Sequence, residues 1–308
     1  MKVPYRAIVL LLIGITVLAL GLTALGGVRS ADDGDDLSVV ASFYPMYTAT
    51  LRVVGDVSGV AVHCLTRPTT GCLHDYQLSP SERMSLERAD LLILNGGGAE
   101  SFLEHMLTQI EATVVDTTAD AELMEACNGH EHEGHEHHAN EHGWMSPVIY
   151  AEQVQAICEA LCKADPKSAE AYRTNAARYR REIDEIGGEL AAVSAQLPFD
   201  KAVLFHDSLA YTAEMLGLTT IGTLPLGEEG MLLAQEVREV ADAIKGQAVL
   251  FLYDEQYAVQ QEGLMAYAAH SAAVSLNSAV RPMKGVAPED VWVAAMRQNI
   301  RALKEVAM

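Results

Sequence analysis

Basic residues are scarce in this chain of 308 residues: 21 Lys and Arg stand against 42 Asp and Glu, a formal net charge of -21 at pH 7. A surface of that sign repels phosphate backbones, which argues against nucleic acid as a partner. Charged residues of both signs make up only 20% of the chain and hydrophobic ones 50%. Such a chain can bury a large core and is neither disordered nor fibrous. Cysteine is absent from residues 1–30, which excludes lipid attachment at a lipoprotein cysteine there. Beyond residue 30 no apolar run is long enough to cross a bilayer. Neither an HExxH helix nor a GxSxG turn occurs, and with them go two common hydrolase designs.

The segment that does carry a long apolar run is the first. Lys2 and Arg6 precede an uncharged stretch, AIVLLLIGITVLALGLTA, and small residues follow near Ser30 and Ala31. A basic start, an apolar middle and a small-residue exit read as an export signal over residues 1–30. The stretch also suffices for an uncleaved N-terminal anchor. Either way the rest of the chain is expected outside the cytoplasm, in the periplasm or on the outer face of the cytoplasmic membrane. Export permits disulfides among the five cysteines, and Cys64 and Cys72 flank a short loop that such a bond could close. Cys158 and Cys162 stand four apart on an expected helix, a spacing better explained by packing than by metal.

Apolar, β-rich runs alternate with amphipathic stretches. The runs are 38–43, 57–65, 89–96, 112–118, 201–207, 219–226, 247–254 and 272–278, and several are continuously apolar, as parallel strands buried on both faces require. Strand–helix alternation predicts a parallel α/β fold. It is interrupted over residues 166–196, where Tyr172, Ala176, Tyr179, Ile183, Ile186 and Leu190 recur in steps of three and four. That is one stripe on a long helix, begun by Pro166 and stopped before Pro198. The expected architecture is an N-terminal α/β lobe over 31–165, a linking helix over 166–197 and a C-terminal α/β lobe over 198–308. Two Rossmann-like lobes with parallel sheets joined by one rigid helix would hold a ligand in the cleft between them.

Residues 128–140 read NGHEHEGHEHHAN, with His130, His132, His135, His137 and His138 among carboxylates. The segment has no large apolar residue with which to pack and has a metal-binding composition. Three further histidines sit where a cleft would be. His74 lies in the loop GCLHDYQLSP, His142 in HGWMSP just before an expected helix, and His206 directly after the apolar run KAVLF. Any one of them alone is more readily a structural histidine. Three from separate segments, beside a His-rich loop, point to a transition-metal site.

The stretches VVASFYPMYTATLRVVGD, GCLHDYQLSPSERMSLERADLLILNGGGAESFL, HGWMSPVIYAEQV, KAVLFHDSLAYTAEMLGL and FLYDEQYA resemble the metal-binding solute receptors of bacterial zinc and manganese ABC transporters. The likeness runs over nearly all of residues 38–308. It implies two α/β lobes linked by a rigid helix, with His74, His142 and His206 on the metal-binding histidine positions. It also implies an ABC-transporter permease as partner, with contact to the membrane confined to the N-terminal segment. Where some members supply an aspartate in the last lobe, this chain has Asn277, so the fourth donor is left among water, Asp254, Glu255 and Asn277. Three neutral imidazoles with one open position suit Zn2+ at about 2.0–2.1 Å per nitrogen, while Mn2+ prefers more carboxylate oxygen. The rival readings are a zinc-dependent hydrolase, with Asp75 or Asp207 as base, and a surface protein for metal buffering or adhesion.

Overall fold

The structure, a computed structural model, describes residues 37–67, 73, 76–126, 139–224, 234–256 and 262–307. Residues 1–30, His74, Cys72 and the five histidines of the loop at 130–138 lie outside the described residues.

Among the described residues, eight parallel strands form two four-stranded sheets. The first contains β1 (Leu37–Ala41), β2 (Val60–Cys64), β3 (Leu91–Leu94) and β4 (Thr113–Asp116) in the order β2-β1-β3-β4. The second contains β5 (Lys201–Leu204), β6 (Thr219–Thr223), β7 (Ala248–Asp254) and β8 (His270–Leu276) in the order β6-β5-β7-β8. The two sheets therefore repeat one topology. In each, the chain first steps to one side of its opening strand and then crosses to the other. The crevice at the carboxyl ends of β1 and β3, and of β5 and β7, is where such sheets bind ligands. Six of these strands fall within the apolar runs of the sequence, while β1 begins one residue before its run and β8 two residues before its own. Burial on both faces holds for β3, where all four residues are buried, and for most of β5 and β7. It fails for β4, an edge strand whose Val114 is exposed.

The helices relevant to the cleft are α1 (Tyr44–Val54), α2 (Pro80–Glu87), α3 (Pro147–Ala164), α4 (Ala169–Ser194), α5 (Ala210–Met215), α6 (Ala234–Ile244) and α7 (Val291–Ala307). The long helix α4 follows a single 3-10 turn at Pro166–Ser168. Every residue of the expected stripe, from Tyr172 to Leu190, is buried, and Val193 extends it. Apolar residues from both sheets and from α3, α4 and α7 join in one continuous core. Arg52 of α1 clamps the same region. It pairs with Glu182 of α4 and with Asp290 at 3.4 Å, and lies 4.7 Å from the centre of the Tyr179 ring.

Cys64, which the sequence left open to a loop-closing disulfide, is a free thiol. Burial pushes the Cys64 thiol up to about 12. Cys158 and Cys162 are also free; Cys158 is buried in the core, and the Cys162 thiol donates to the Ala169 carbonyl at 3.5 Å. The packing reading of that pair stands.

Candidate metal centre

His206 is placed by β5. Two residues past the end of that strand it caps a 3-10 turn, with its Nδ1 accepting the Ser208 backbone N–H at 3.1 Å and lying 2.9 Å from the Ser208 hydroxyl. It thus stands at the crevice of the second sheet, where the chain order reverses.

His142 reaches the same place from the other half of the chain. It precedes a 3-10 turn, Gly143–Met145, that leads into α3, whose first turn is capped by the Ser146 hydroxyl accepting the Ile149 N–H. The ring is 2% exposed, and its centre lies 5.2 Å from that of His206, with the rings nearly perpendicular at 86°. Two imidazoles from segments on opposite sides of the linking helix are therefore edge to face, close enough to share one ion.

The backbone around His142 is held by both lobes. Asn140 is fully buried; its backbone N–H donates to the Met124 carbonyl at 2.7 Å, and its carbonyl accepts from the Tyr211 hydroxyl of α5 at 2.6 Å. Asn95, just past β3, donates to the Glu141 carbonyl at 2.8 Å. Trp144 packs edge-on against Phe43, sits 5.1 Å from the His142 ring and donates its indole N–H to the Ser278 carbonyl at 2.8 Å. Trp292 of α7 returns the bond, donating to the Trp144 carbonyl at 2.8 Å while stacking 4.4 Å from Tyr150. The two tryptophans of the chain thus fasten the His142 segment to the second lobe. The sequence reading placed Asn140 inside a loop unable to pack. In the structure Ala139 bridges to Glu125 and Asn140 is anchored, so that loop ends before residue 139.

His74 lies outside the described residues; the nearest described residues in the chain are Leu73 and Tyr76. Leu73 is buried in the core and its carbonyl accepts the Tyr76 N–H at 3.0 Å. The Tyr76 hydroxyl donates to Glu82 at 2.6 Å, and Glu82 closes a capping box with Ser79 at the start of α2. Both flanks of His74 are therefore tied to the first lobe.

The proposed oxygen donors divide. Asn277 uses its side-chain oxygen to accept the Ala279 N–H at 2.8 Å and donates its amide to Glu255, which also accepts from Gln298 at 2.7 Å. Asp254 accepts from the Gln256 backbone and side chain at 3.0 and 2.9 Å, and burial raises its pKa. These three line a cavity of about 460 Å3 together with Arg281 and Lys284, and neither His142 nor His206 is among its lining residues. The carboxylate beside the histidine pair is one that the sequence reading passed over, Glu141, with an oxygen 4.0 Å from His142 Nε2. Its only signal in the sequence was adjacency to a candidate ligand. His63 is exposed on the edge strand β2, and His270 at the start of β8 stacks on Phe199; both have structural settings.

One further carboxylate sits at the crevice of the first sheet. Gly96 turns the chain after β3 with a positive φ of 90°, where a Cβ would lie 1.9 Å from Asp116. The turn folds Glu100 back so that its carboxylate accepts the Ser42 hydroxyl at 2.6 Å and the Asn95 and Gly96 N–H groups at 2.7 and 3.1 Å. Burial dominates nonetheless and raises its pKa from 4.5 to about 7. A raised acid pKa means that the folded chain binds more protons than the unfolded chain between those values, so this group's contribution to stability falls as pH rises through that window. In urea unfolding at about pH 5 and about pH 8, the wild type is expected to lose stability relative to Glu100→Gln. Parallel behaviour of the two proteins would contradict this.

With the geometry in hand, comparison with known proteins places the chain. The family described as zinc-uptake complex component A, periplasmic, matches residues 39–306. The chain belongs to this family. Members are extracytoplasmic zinc-binding receptors of ABC uptake systems, not enzymes. Among relatives, the high-affinity zinc uptake system protein ZnuA of Bacillus subtilis (strain 168) is 28% identical over 292 residues, covering 90% of this chain and 89% of that protein. The zinc-binding lipoprotein AdcA of Streptococcus pneumoniae (strain ATCC BAA-255 / R6) is 26% identical over 303 residues, covering 93% of this chain but 58% of that protein. Two solved structures share the fold. A crystal structure of ZnuA superposes with a TM-score of 0.70 at 22% identity, over 89% of this chain and all of that one. The FpvC receptor of Pseudomonas aeruginosa, in complex with Mn2+, gives 0.72 at 20% identity, over 88% of this chain and 99% of that one. The two parallel-sheet lobes and the long helix are those of this family.

Proposed function

We propose that the chain captures one Zn2+ ion in the cleft between its lobes, using His142, His206 and His74, and hands it to the permease of an ABC transporter. The observation that carries this reading is the edge-to-face meeting of His142 and His206 from opposite sides of α4. Two imidazoles, a third from His74 and an oxygen donor make the nitrogen-rich tetrahedral set that zinc favours over manganese. Water or Glu141 supplies that oxygen; Asn277 donates to Glu255, and Asp254 accepts from Gln256. The lobes follow the divisions at 31–165, 166–197 and 198–308, and residues 1–30 serve as the export segment and the chain's membrane contact. Among the described residues no helix is long and apolar enough to cross a membrane.

The fastening of the His142 segment by Trp144, Trp292 and Asn140 bears on delivery. Lobes joined in this way by a stiff helix signal occupancy by small local changes rather than by a wide closure. The histidines at 130–138, set among carboxylates in a metal-binding composition, gather further zinc weakly.

Metal analysis tests the reading. The purified chain is expected to hold one tightly bound zinc plus weakly held extra zinc. Deleting residues 130–138 should remove the extra and leave the tight site. Loss of the tight site on deletion would make the loop its true ligand source.

A further inference from the structure

We infer that Asn140 is the positioning residue that selects which nitrogen of His142 is offered to the metal. This rests on the reading of His142 as a ligand and adds the device that prepares it.

Asn140 is fully buried, and its side-chain amide touches groups of fixed polarity at both ends. Its Nδ2 lies 3.0 Å from the Asp207 carbonyl oxygen, which can only accept. Its Oδ1 lies 3.1 Å from the His142 backbone N–H, which can only donate. A flipped amide would set oxygen against oxygen at one end and N–H against N–H at the other, so the orientation is determined by its partners. The same Oδ1 lies 2.9 Å from His142 Nδ1. An atom that can only accept requires a proton on Nδ1. A neutral imidazole has a single N–H, so the lone pair is left on Nε2. The nitrogen bearing that lone pair is the one 4.0 Å from the Glu141 carboxylate.

The amide is itself immobilised. The Asn140 backbone is bonded to Met124 and to the Tyr211 hydroxyl. Its Nδ2 partner, Asp207, is the residue next to His206. One buried amide therefore sets the tautomer of a ligand from the first lobe while tied to the backbone beside a ligand from the second. Partners of this kind hold metal-binding histidines in register, and their loss costs about 10–100-fold in affinity.

The test uses the full chain labelled with 15N-histidine, metal-free, at about pH 8, where an ordinary imidazole is neutral. Long-range proton–nitrogen correlation spectra report the tautomer of each ring. Wild-type His142 is expected as the Nδ1–H form. Asn140→Leu, which removes the acceptor without opening a large cavity, should lose that preference and weaken zinc binding by about 10–100-fold in competition with a chelator. Asn140→Asp keeps an acceptor for Nδ1–H and should keep the tautomer and bind zinc more tightly than Asn140→Leu. An Nε2–H tautomer in the wild type overturns the proposal without any variant, even if Asn140→Leu fails to fold. So does an Asn140→Leu protein with unchanged tautomer and affinity. His142→Ala separates the two levels. If it leaves the tight site intact, the ligand reading is wrong. If it abolishes the site while Asn140→Leu changes nothing, only the positioning role is wrong.

Discussion

His142→Ala and His206→Ala should each weaken zinc binding by more than the roughly 10–100-fold that losing an outer partner of a metal histidine costs. Each removes a direct nitrogen donor from a site with few others, and the vacated position can be filled only by water. Since the rings meet at 5.2 Å, the two losses should not add independently. Once one ring is gone, the other no longer closes a chelate across the lobes, so the double variant should be little worse than the poorer single one. His63→Ala and His270→Ala serve as controls. His63 is exposed on an edge strand and His270 stacks on Phe199, so zinc affinity should be unchanged in both. Competition titrations with a chromophoric chelator read the five variants and the wild type on one scale. Equal affinity in either cleft variant and the wild type would remove that histidine from the site.

Trp292→Ala is expected to be the most destabilising single change near the cleft, at about 3–5 kcal/mol. The side chain is fully buried, stacks on Tyr150 and holds the Trp144 carbonyl through its indole N–H. Trp292→Phe retains the ring and loses the hydrogen bond, which typically contributes about 0.5–1.5 kcal/mol net. Because Trp144 lies 5.1 Å from His142, the Phe variant should bind zinc more weakly even where it remains folded. Denaturant unfolding of the metal-free proteins gives the stability differences, and zinc titration of the folded Phe variant gives the coupling. A Phe variant with wild-type zinc affinity would show that the tryptophan latch supports the fold alone.

Much of this was legible in the sequence because it depends on short-range pattern. The apolar runs became the parallel strands of the described residues, and the continuous Val, Ile and Leu of β3, β5 and β7 follow from burial on both faces. The stripe from Tyr172 to Leu190 became the buried face of α4, since helical periodicity survives any tertiary context. His206 was legible because the end of an apolar run in such a fold points to the crevice. Its position grouped it with His142 and His74, and the family likeness pointed to the same three residues. What stayed hidden depends on contacts between distant residues. Asn140 meets Asp207 across 67 positions and Trp144 meets Ser278 across 134; no local pattern announces either. Asn140 was misread because it ends a polar, low-complexity run, and composition is blind to a single anchored residue. The partners of the oxygen-donor candidates were hidden for a similar reason. Asp254, Glu255 and Asn277 have suitable chemistry, but their hydrogen bonds go to Gln256, Gln298, Ala279 and one another. Cys64 illustrates the converse. Its loop spacing allowed a disulfide, and burial holds it as an unreactive thiol instead.

The most direct test of the account is zinc K-edge X-ray absorption on the chain lacking residues 130–138, loaded with one equivalent of metal, beside its His142→Ala counterpart. The account predicts a nitrogen and oxygen shell at about 2.0–2.1 Å with no sulfur, and imidazole scattering that drops by one ring in the variant. A sulfur shell at about 2.3 Å, or imidazole scattering unchanged by His142→Ala, would contradict it.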